Sequence, residues 1–144
     1  MKSGLGICIV ILWVSVSPNC QAQIQSNISF ESYVDLIQEP KEEALSYLEE
    51  LYAAFNAGKL KQSQFYFIVI IQDEAGKWEQ VFIEVEEWED GFILGMLASE
   101  MSVVEGPPLG AAFVFDEEKI VDWLVIDEDG REAGHFITRY LLGK

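Results

Sequence analysis

The sequence predicts an α+β domain: two N-terminal helices packed on an antiparallel sheet of about five strands, and a short C-terminal helix. Three observations lead to this prediction. Before residue 58, apolar residues recur at three- and four-residue spacing, the period of an amphipathic helix. After residue 64, apolar residues run together or alternate with polar ones, as in strands. Turn sequences that contain glycine separate these later segments, which is typical of hairpins.

The first residues predict a signal peptide. Lys2 supplies a positive start, Leu5 to Val16 form an apolar run, and Cys20-Gln21-Ala22 offers small side chains for a signal peptidase. The run is shorter than the roughly 20 apolar residues that a transmembrane anchor needs. An uncleaved anchor and lipidation of Cys20 are the alternatives.

Cleavage after Ala22 divides the chain into three parts. We expect a signal peptide over residues 1–22, a polar lead-in over 23–28 and a single domain over 29–144. The protein would then be exported, to the periplasm or to the medium.

Composition bounds the function of the mature chain. The sequence has 25 acidic and 9 basic residues and a formal net charge of −16, which becomes more negative when Lys2 is removed. Such a surface argues against binding to nucleic acid or to an anionic membrane. A strongly acidic surface is expected if the charge serves only solubility, and it is also expected if the partner is a protein with a basic surface. Because Cys8 and Cys20 both precede the cleavage point, we expect neither thiol catalysis nor thiolate zinc binding.

Two helices are predicted before residue 58. Ser29 is a plausible N-cap of a short first helix, with Tyr33 and Ile37 toward the core. Pro40 suits the first turn of a second helix, and Gly58 suits its end. The second helix carries one apolar stripe, formed by Ala44, Leu48, Leu51, Tyr52 and Phe55.

Five strands and a closing helix are predicted after residue 64. The continuous apolar run Phe65 to Ile71 predicts a strand covered on both faces. The alternation that begins at Val81 predicts a second strand with one wet face. Three further strands are predicted over residues 92–98, 111–115 and 123–127, and a helix over 136–142.

The second half of the chain resembles the YegJ-like domain of unknown function, a group of small bacterial proteins. The resemblance covers residues 43–142 and depends on Leu109-Gly110, Phe113 and Phe115, Ile120-Val121-Asp122-Trp123, and Asp127-Glu128-Asp129-Gly130. It implies the α+β class and the domain boundary, and it implies no activity.

Two segments depart from the pattern of that family. The closing segment Gly134-His135-Phe136-Ile137-Thr138-Arg139 has His135 where the family tends to have a second glycine, and its threonine is displaced by one position. The segment Glu79-Gln80-Val81-Phe82 stands where the family usually has Glu-His-x-Trp. Any role of that histidine and tryptophan is therefore not carried over.

The densest acidic group surrounds one hairpin turn and consists of Glu84, Glu86, Glu87, Glu89 and Asp90. Strict alternation places Glu84 and Glu86 on one strand face, where close carboxylates can raise a pKa or hold a cation. A solvated strand face is the simpler interpretation, and loose binding of a divalent ion is the alternative.

Tryptophan side chains near this hairpin are candidates for partner contact. Packing is the expected role of Trp78, Trp88 and Trp123, and partner binding is the alternative. Because Trp88 lies within the acidic group, we include it with Glu84 and Glu86 in the predicted binding surface.

His135 is the single histidine, so any imidazole chemistry must use it. We include it among the predicted binding residues, with a helix-end role as the simpler interpretation. Ser99 and Ser102 lack the Gly-x-Ser-x-Gly setting of an activated serine. One histidine does not make a zinc site without carboxylate or water partners. We therefore predict no catalytic residue, no metal site and no cofactor.

The segment Asp127–Glu132 suggests a calcium loop but does not fit one. With Gly130 at the glycine position of such a loop, Val125 occupies the first ligand position and Phe136 the last. A tight turn is the better interpretation.

These observations predict a non-enzymatic binding or inhibitory module in the bacterial envelope. The alternative is a cell-wall hydrolase or accessory enzyme that uses a carboxylate or His135 as acid–base. A structural envelope component is a third possibility.

Overall fold

The computed structural model describes residues 28–143, which form four α-helices, six β-strands and one 3-10 turn. The helices are α1 (Phe30–Leu36), α2 (Gln38–Leu45), α3 (Leu48–Asn56) and α4 (Phe136–Leu142). The strands are β1 (Gln64–Gln72), β2 (Trp78–Glu89), β3 (Phe92–Leu97), β4 (Ala112–Asp116), β5 (Ile120–Ile126) and β6 (Glu132–Gly134). The 3-10 turn Glu117–Lys119 joins β4 to β5. The predicted signal peptide, and the lead-in before residue 28, lie outside the described residues.

All six strands form one antiparallel sheet in the order β4-β3-β2-β1-β5-β6. The α+β class, the antiparallel sheet and the closing helix are thus confirmed. The strand count is six rather than about five, because the prediction missed β6. With only three residues, β6 is too short to show the alternation by which a strand is recognised.

Helix α1 begins where the sequence predicts. The Ser29 hydroxyl accepts a hydrogen bond from the Ser32 amide at 3.1 Å, so Ser29 is the N-cap. Tyr33 and Ile37 are buried. No helix in the described part of the chain is long and apolar enough to cross a membrane.

The second helix predicted from Pro40 is in fact two helices, α2 and α3, with a break that includes Ser46. The Ser46 hydroxyl donates to the Glu43 carbonyl oxygen at 2.6 Å. Its amide is shared between the carbonyl oxygens of Glu42 and Glu43, at 3.1 and 3.2 Å. A hydroxyl that bonds a helix carbonyl competes with the regular backbone ladder, and this favours an end to α2. The prediction of one continuous helix was therefore wrong.

Strand β1 lies inside the sheet and is covered on both sides, as its apolar run predicts. Phe65, Phe67 and Val69 belong to one hydrophobic cluster, whereas Tyr66 and Ile68 belong to another. Because side chains alternate along a strand, the two clusters lie on opposite sides of the sheet. We call these sides the Phe67 face and the Tyr66 face.

Helices α2 and α3 cover the Phe67 face. Ala44 and Leu51 join its hydrophobic cluster, and Leu48 and Phe55 pack against it. The indole N–H of Trp123 donates to the Ala44 carbonyl oxygen at 2.9 Å, which attaches α2 to β5. Trp123 is buried, so its predicted place in the core is confirmed.

Helices α1 and α4 cover only part of the Tyr66 face. The cluster on this side includes Tyr33 of α1, the C-cap residue Ile37 that follows this helix, and Ile137 of α4. Trp78 is also buried there, with its ring centroid 4.3 Å from that of Tyr33. No residue of β3 or β4 belongs to this cluster within the described chain, so the covered part ends at β2.

Strand β2 is more buried than predicted. Val81, Phe82 and Ile83 are buried in succession, so both faces are covered in the first half of the strand. Only from Glu84 onward does β2 have the wet face that alternation predicts for the whole strand. The difference arises because Phe82 packs in the cluster that α1 and α4 complete.

A buried carboxylate holds the loop between β3 and β4. Glu79 accepts hydrogen bonds from the amides of Ser102, Val103 and Val104, at 2.9–3.1 Å. Ser99 is also buried, and its hydroxyl accepts from the Phe82 amide at 2.9 Å. Consecutive backbone donors around one carboxylate form an anion-binding concavity, which Glu79 itself fills.

Gly134 provides a test of how closely β6 approaches β5. Its φ is 92°, and a Cβ there would overlap the carbonyl oxygen and the indole ring of Trp123. We expect Gly134→Ala to lower the free energy of unfolding by about 2–4 kcal/mol, from backbone strain and steric overlap together. Gly76→Ala is the matched control, because Gly76 has a φ of 87° but open space around it.

The control should lose only about 1 kcal/mol, since it carries backbone strain alone. Urea unfolding followed by tryptophan fluorescence measures both variants. Equal losses would contradict the close approach of the two strands.

Candidate functional site

The part of the Tyr66 face that no helix covers is the candidate site, and we call it the open face. It presents one row of side chains from each of β2, β3 and β4, and the described helices leave it exposed. Three apolar side chains stand out by their exposed fractions, which are 54% for Phe92, 37% for Met96 and 68% for Val114. The residues of the open face are Glu84, Glu87, Glu89, Phe92, Leu94, Met96, Ala112, Val114 and Asp116.

The strand register sets these residues in columns by chemistry. In β3, Phe92, Leu94 and Met96 lie two residues apart and form a central apolar column. On one side they pair in register with the β2 carboxylates of Glu89, Glu87 and Glu84. On the other side they pair with Asp116, Val114 and Ala112 of β4. The open face is thus an apolar stripe with carboxylates along one border and at one corner.

A bulge in β2 decides which carboxylates face outward. Val85 pairs with Gly95, but Glu87 pairs with Leu94, so Glu86 is an extra residue in this strand. The extra residue reverses the side on which every later residue of β2 lies. Glu87 therefore lies on the open face with Glu84, as does Glu89 two residues further on.

The same bulge turns Trp88 into the core, which agrees with the packing role expected for it and not with a place in the predicted binding surface. Strict alternation would put Trp88 on the same face as Glu84, but the shifted register turns it to the Phe67 face. Only 3% of Trp88 is exposed, and its indole N–H donates to Glu117 Oε2 at 2.7 Å. A ring buried in this way packs in the core and offers no surface to a partner.

The negative charge of Glu86 acts on the nearby Glu84 carboxyl group. Burial, and secondly the charge of Glu86, raise the pKa of Glu84. Burial raises the pKa of Tyr66, the β1 residue paired with Glu84, to about 12, and the charge of Glu84 adds to this effect. Among the described residues, no carboxylate of the open face makes a salt bridge. A cation placed here would therefore relieve unfavourable electrostatics.

His135 lies at the start of α4, and its ring centroid is 5.8 Å from that of Phe82 in β2. Its backbone is left-handed, with a φ of 61°, and only 14% of its side chain is exposed. Nδ1 lies 4.0 Å from Glu132 Oε1, and Nε2 is buried without a hydrogen-bond partner in the described chain. Burial, and secondly the charge of Arg139, lower the pKa of His135 to about 4. The imidazole is therefore neutral at pH 7.

Asp122 is a buried polar residue that was absent from the predicted site residues. It is fully buried, and its carboxylate accepts from the amides of Trp123, Phe136 and Ile137 at 2.8–3.1 Å. Asp122, a residue of β5, thereby caps the first turn of α4. The N-cap residue of this helix, His135, makes no capping bond with its side chain. Desolvation raises the pKa of Asp122 to about 6, although these donors and Arg139 act in the opposite direction.

The described residues contain no group of three or more histidine, cysteine, aspartate or glutamate side chains arranged to hold a metal ion. Residues 127–131 form the predicted turn, and Glu132 begins β6. The Asp127 carboxylate accepts from the amides of Asp129 and Arg131 and pairs with the Arg131 guanidinium at 3.1 Å.

Neither protein-family models, nor curated proteins, nor solved structures gave a match to this chain. The resemblance to the YegJ-like domain therefore stays a prediction from the residues that carry it.

Asp122 and His135 should act in opposite directions on the pH dependence of folding. The folded chain holds the Asp122 proton more tightly than the unfolded chain, so this residue's contribution to stability falls from about pH 4 to 6. The folded chain holds the His135 proton less tightly, so its contribution rises from about pH 4 to 6.5.

Substitution of Asp122 and substitution of His135 should therefore change the slope of the unfolding free energy against pH in opposite directions. As the pH rises from about 4 to 6, the free energy of unfolding of Asp122→Asn should increase by about 3 kcal/mol relative to that of the unsubstituted protein. Over the same rise in pH, the free energy of unfolding of His135→Asn should decrease by about 3 kcal/mol relative to it. Asparagine suits position 135 because it tolerates the left-handed backbone. Urea unfolding across this pH range measures both slopes, and curves parallel to that of the unsubstituted protein would refute the assignment.

Proposed function

We propose that this protein is an exported, non-enzymatic binding or inhibitory module of the bacterial envelope, which docks a basic protein surface with its open face. Export is inferred from the apolar run Leu5 to Val16 and the following Cys20-Gln21-Ala22. Membership of the YegJ-like group is part of the same proposal.

The arrangement of the open face is the observation that carries this proposal. An exposed apolar stripe with a charged border has the anatomy of a protein interface, with an apolar centre and a polar rim. Exposed patches of this kind mark interaction sites more often than scattered apolar residues do. The carboxylates lack cationic partners within the described chain, which favours a basic counterpart.

A cell-wall hydrolase is the second candidate, and the raised pKa of Glu84 favours it. A general acid must keep its proton near neutral pH, and burial beside a second carboxylate acts in that direction. His135 suits this role less well, because a pKa of about 4 leaves it a weak base. Hydrolysis would require Glu84 itself, whereas docking uses all three β2 carboxylates together.

The test compares two triple variants that remove equal charge. The open-face triple removes the charges of the β2 carboxylates and consists of Glu84→Gln, Glu87→Gln and Glu89→Gln. The helix triple is the control, because it removes three charges at exposed positions of α2 and α3 and consists of Glu43→Gln, Glu49→Gln and Glu50→Gln. Each mature protein is immobilised and exposed to an envelope fraction at low and high salt. We expect the open-face triple to retain about ten-fold less of the bound partner, and the helix triple to retain it.

Mass spectrometry of the purified chain is the first step of this experiment, and it should find Gln23 at the N-terminus. Equal losses in the two triples would show that net charge alone drives retention, and would contradict docking by the open face. Loss of cell-wall turnover in Glu84→Gln alone would instead favour the hydrolase.

A further inference from the structure

Strand β4 forms one edge of the sheet, because β3 is its single neighbour in the strand order. It borders the open face directly, through Ala112, Val114 and Asp116. An edge strand presents unpaired backbone amides and carbonyls, which are a template for another strand.

The hydrogen bonds at the two ends of β4 define which backbone groups point outward. The Leu97 amide donates to the Ala111 carbonyl oxygen at 2.8 Å, and the Glu117 amide donates to the Gly91 carbonyl oxygen at 2.9 Å. Residues 111, 113, 115 and 117 therefore turn their backbone groups toward β3, since bonding alternates along an antiparallel pair. The groups of Ala112, Val114 and Asp116 consequently point away from the sheet.

Strand β4 lacks three of the features that commonly protect an edge strand, and its one charged side chain, Asp116, lies at its end. The strand Ala112–Asp116 contains neither lysine nor proline, and its pairing with β3 shows no register shift. The prolines Pro107 and Pro108 precede the strand, in the loop. Val114 is the most exposed apolar residue of the open face, at the centre of the edge.

We propose that β4 accepts an extended basic segment of the partner as a seventh, antiparallel strand of this sheet. This inference rests on the proposed function and names how the partner binds. Backbone bonds to Ala112, Val114 and Asp116 would supply affinity, and alternate side chains would supply selectivity.

Register and charge define the chemistry of the added strand. The side chain opposite Val114 would extend the apolar stripe, and the side chain opposite Asp116 would be cationic, because such cross-strand pairs are favourable. A second copy of this chain suits the edge less well. Its own formal net charge of −16 would repel the first copy.

The probe is the peptide Arg-Lys-Thr-Val-Thr-Val-Arg, acetylated and amidated at its ends. Paired antiparallel, its lysine lies opposite Asp116, its first valine opposite Val114 and its second valine opposite Ala112. The valine amides then point at β4, and the threonine amides point away. N-methylation of both valines removes these donors, and N-methylation of both threonines is the matched control.

We expect isothermal titration to show salt-sensitive binding of the parent peptide. N-methylated valines should weaken it about ten-fold or more, and N-methylated threonines should not. On the protein side, Val114→Pro removes an outward amide without removing a bond to β3, and should weaken binding similarly. Val114→Thr keeps the amide and the branched shape, and should bind as the unsubstituted protein does.

Undetectable binding, or equal binding of the two N-methylated peptides, would overturn strand addition. The proposed function is judged separately, because the open-face triple tests docking by charge without any peptide. Dimers seen in sedimentation and lost in Val114→Pro would show that a second copy takes the edge, and would also overturn the inference.

Discussion

The bulge in β2 is the constraint on which both faces of the sheet depend. One extra residue between Val85 and Glu87 reverses the side of every later residue in the strand. Trp88 thereby enters the core, where it packs with rings of the Phe67 face. Glu87 and Glu89 thereby join Glu84 on the open face. A single irregularity thus supplies an aromatic ring to the core and carboxylates to the surface.

Uneven coverage of the sheet explains why an apolar surface stays exposed. Helices α2 and α3 cover the Phe67 face, whereas α1 and α4 cover the Tyr66 face only as far as β2. The remaining strands expose Phe92, Met96 and Val114. An exposed apolar stripe favours self-association, but a strongly negative chain repels its copies, so charge opposes aggregation. The same charge would attract a basic partner.

Local signals in the sequence predicted most elements, and non-local contacts account for what it missed. The Ser29 cap, the buried run of β1 and the apolar pairs four residues apart in α4 depend on neighbouring residues, so they could be predicted. The bulge depends on how β2 pairs with β3, which alternation within β2 does not reveal. The role of Asp122 depends on a bond across the fold to α4. Of the two carboxylates in the predicted binding surface, Glu84 lies on the open face, whereas Glu86 is the extra residue of the bulge. The side of the sheet on which Trp88 lies was likewise not predictable from alternation.

Methyl and indole NMR with a soluble paramagnetic probe tests the bulge and the open face together. The probe should strongly relax the methyl groups of Met96 and Val114, while those of Ile93 and Leu97 stay protected. The Trp88 indole signal should also stay protected. Strong relaxation of Trp88, or protection of Met96 and Val114 equal to that of Ile93, would contradict the placement of the open face and everything inferred from it.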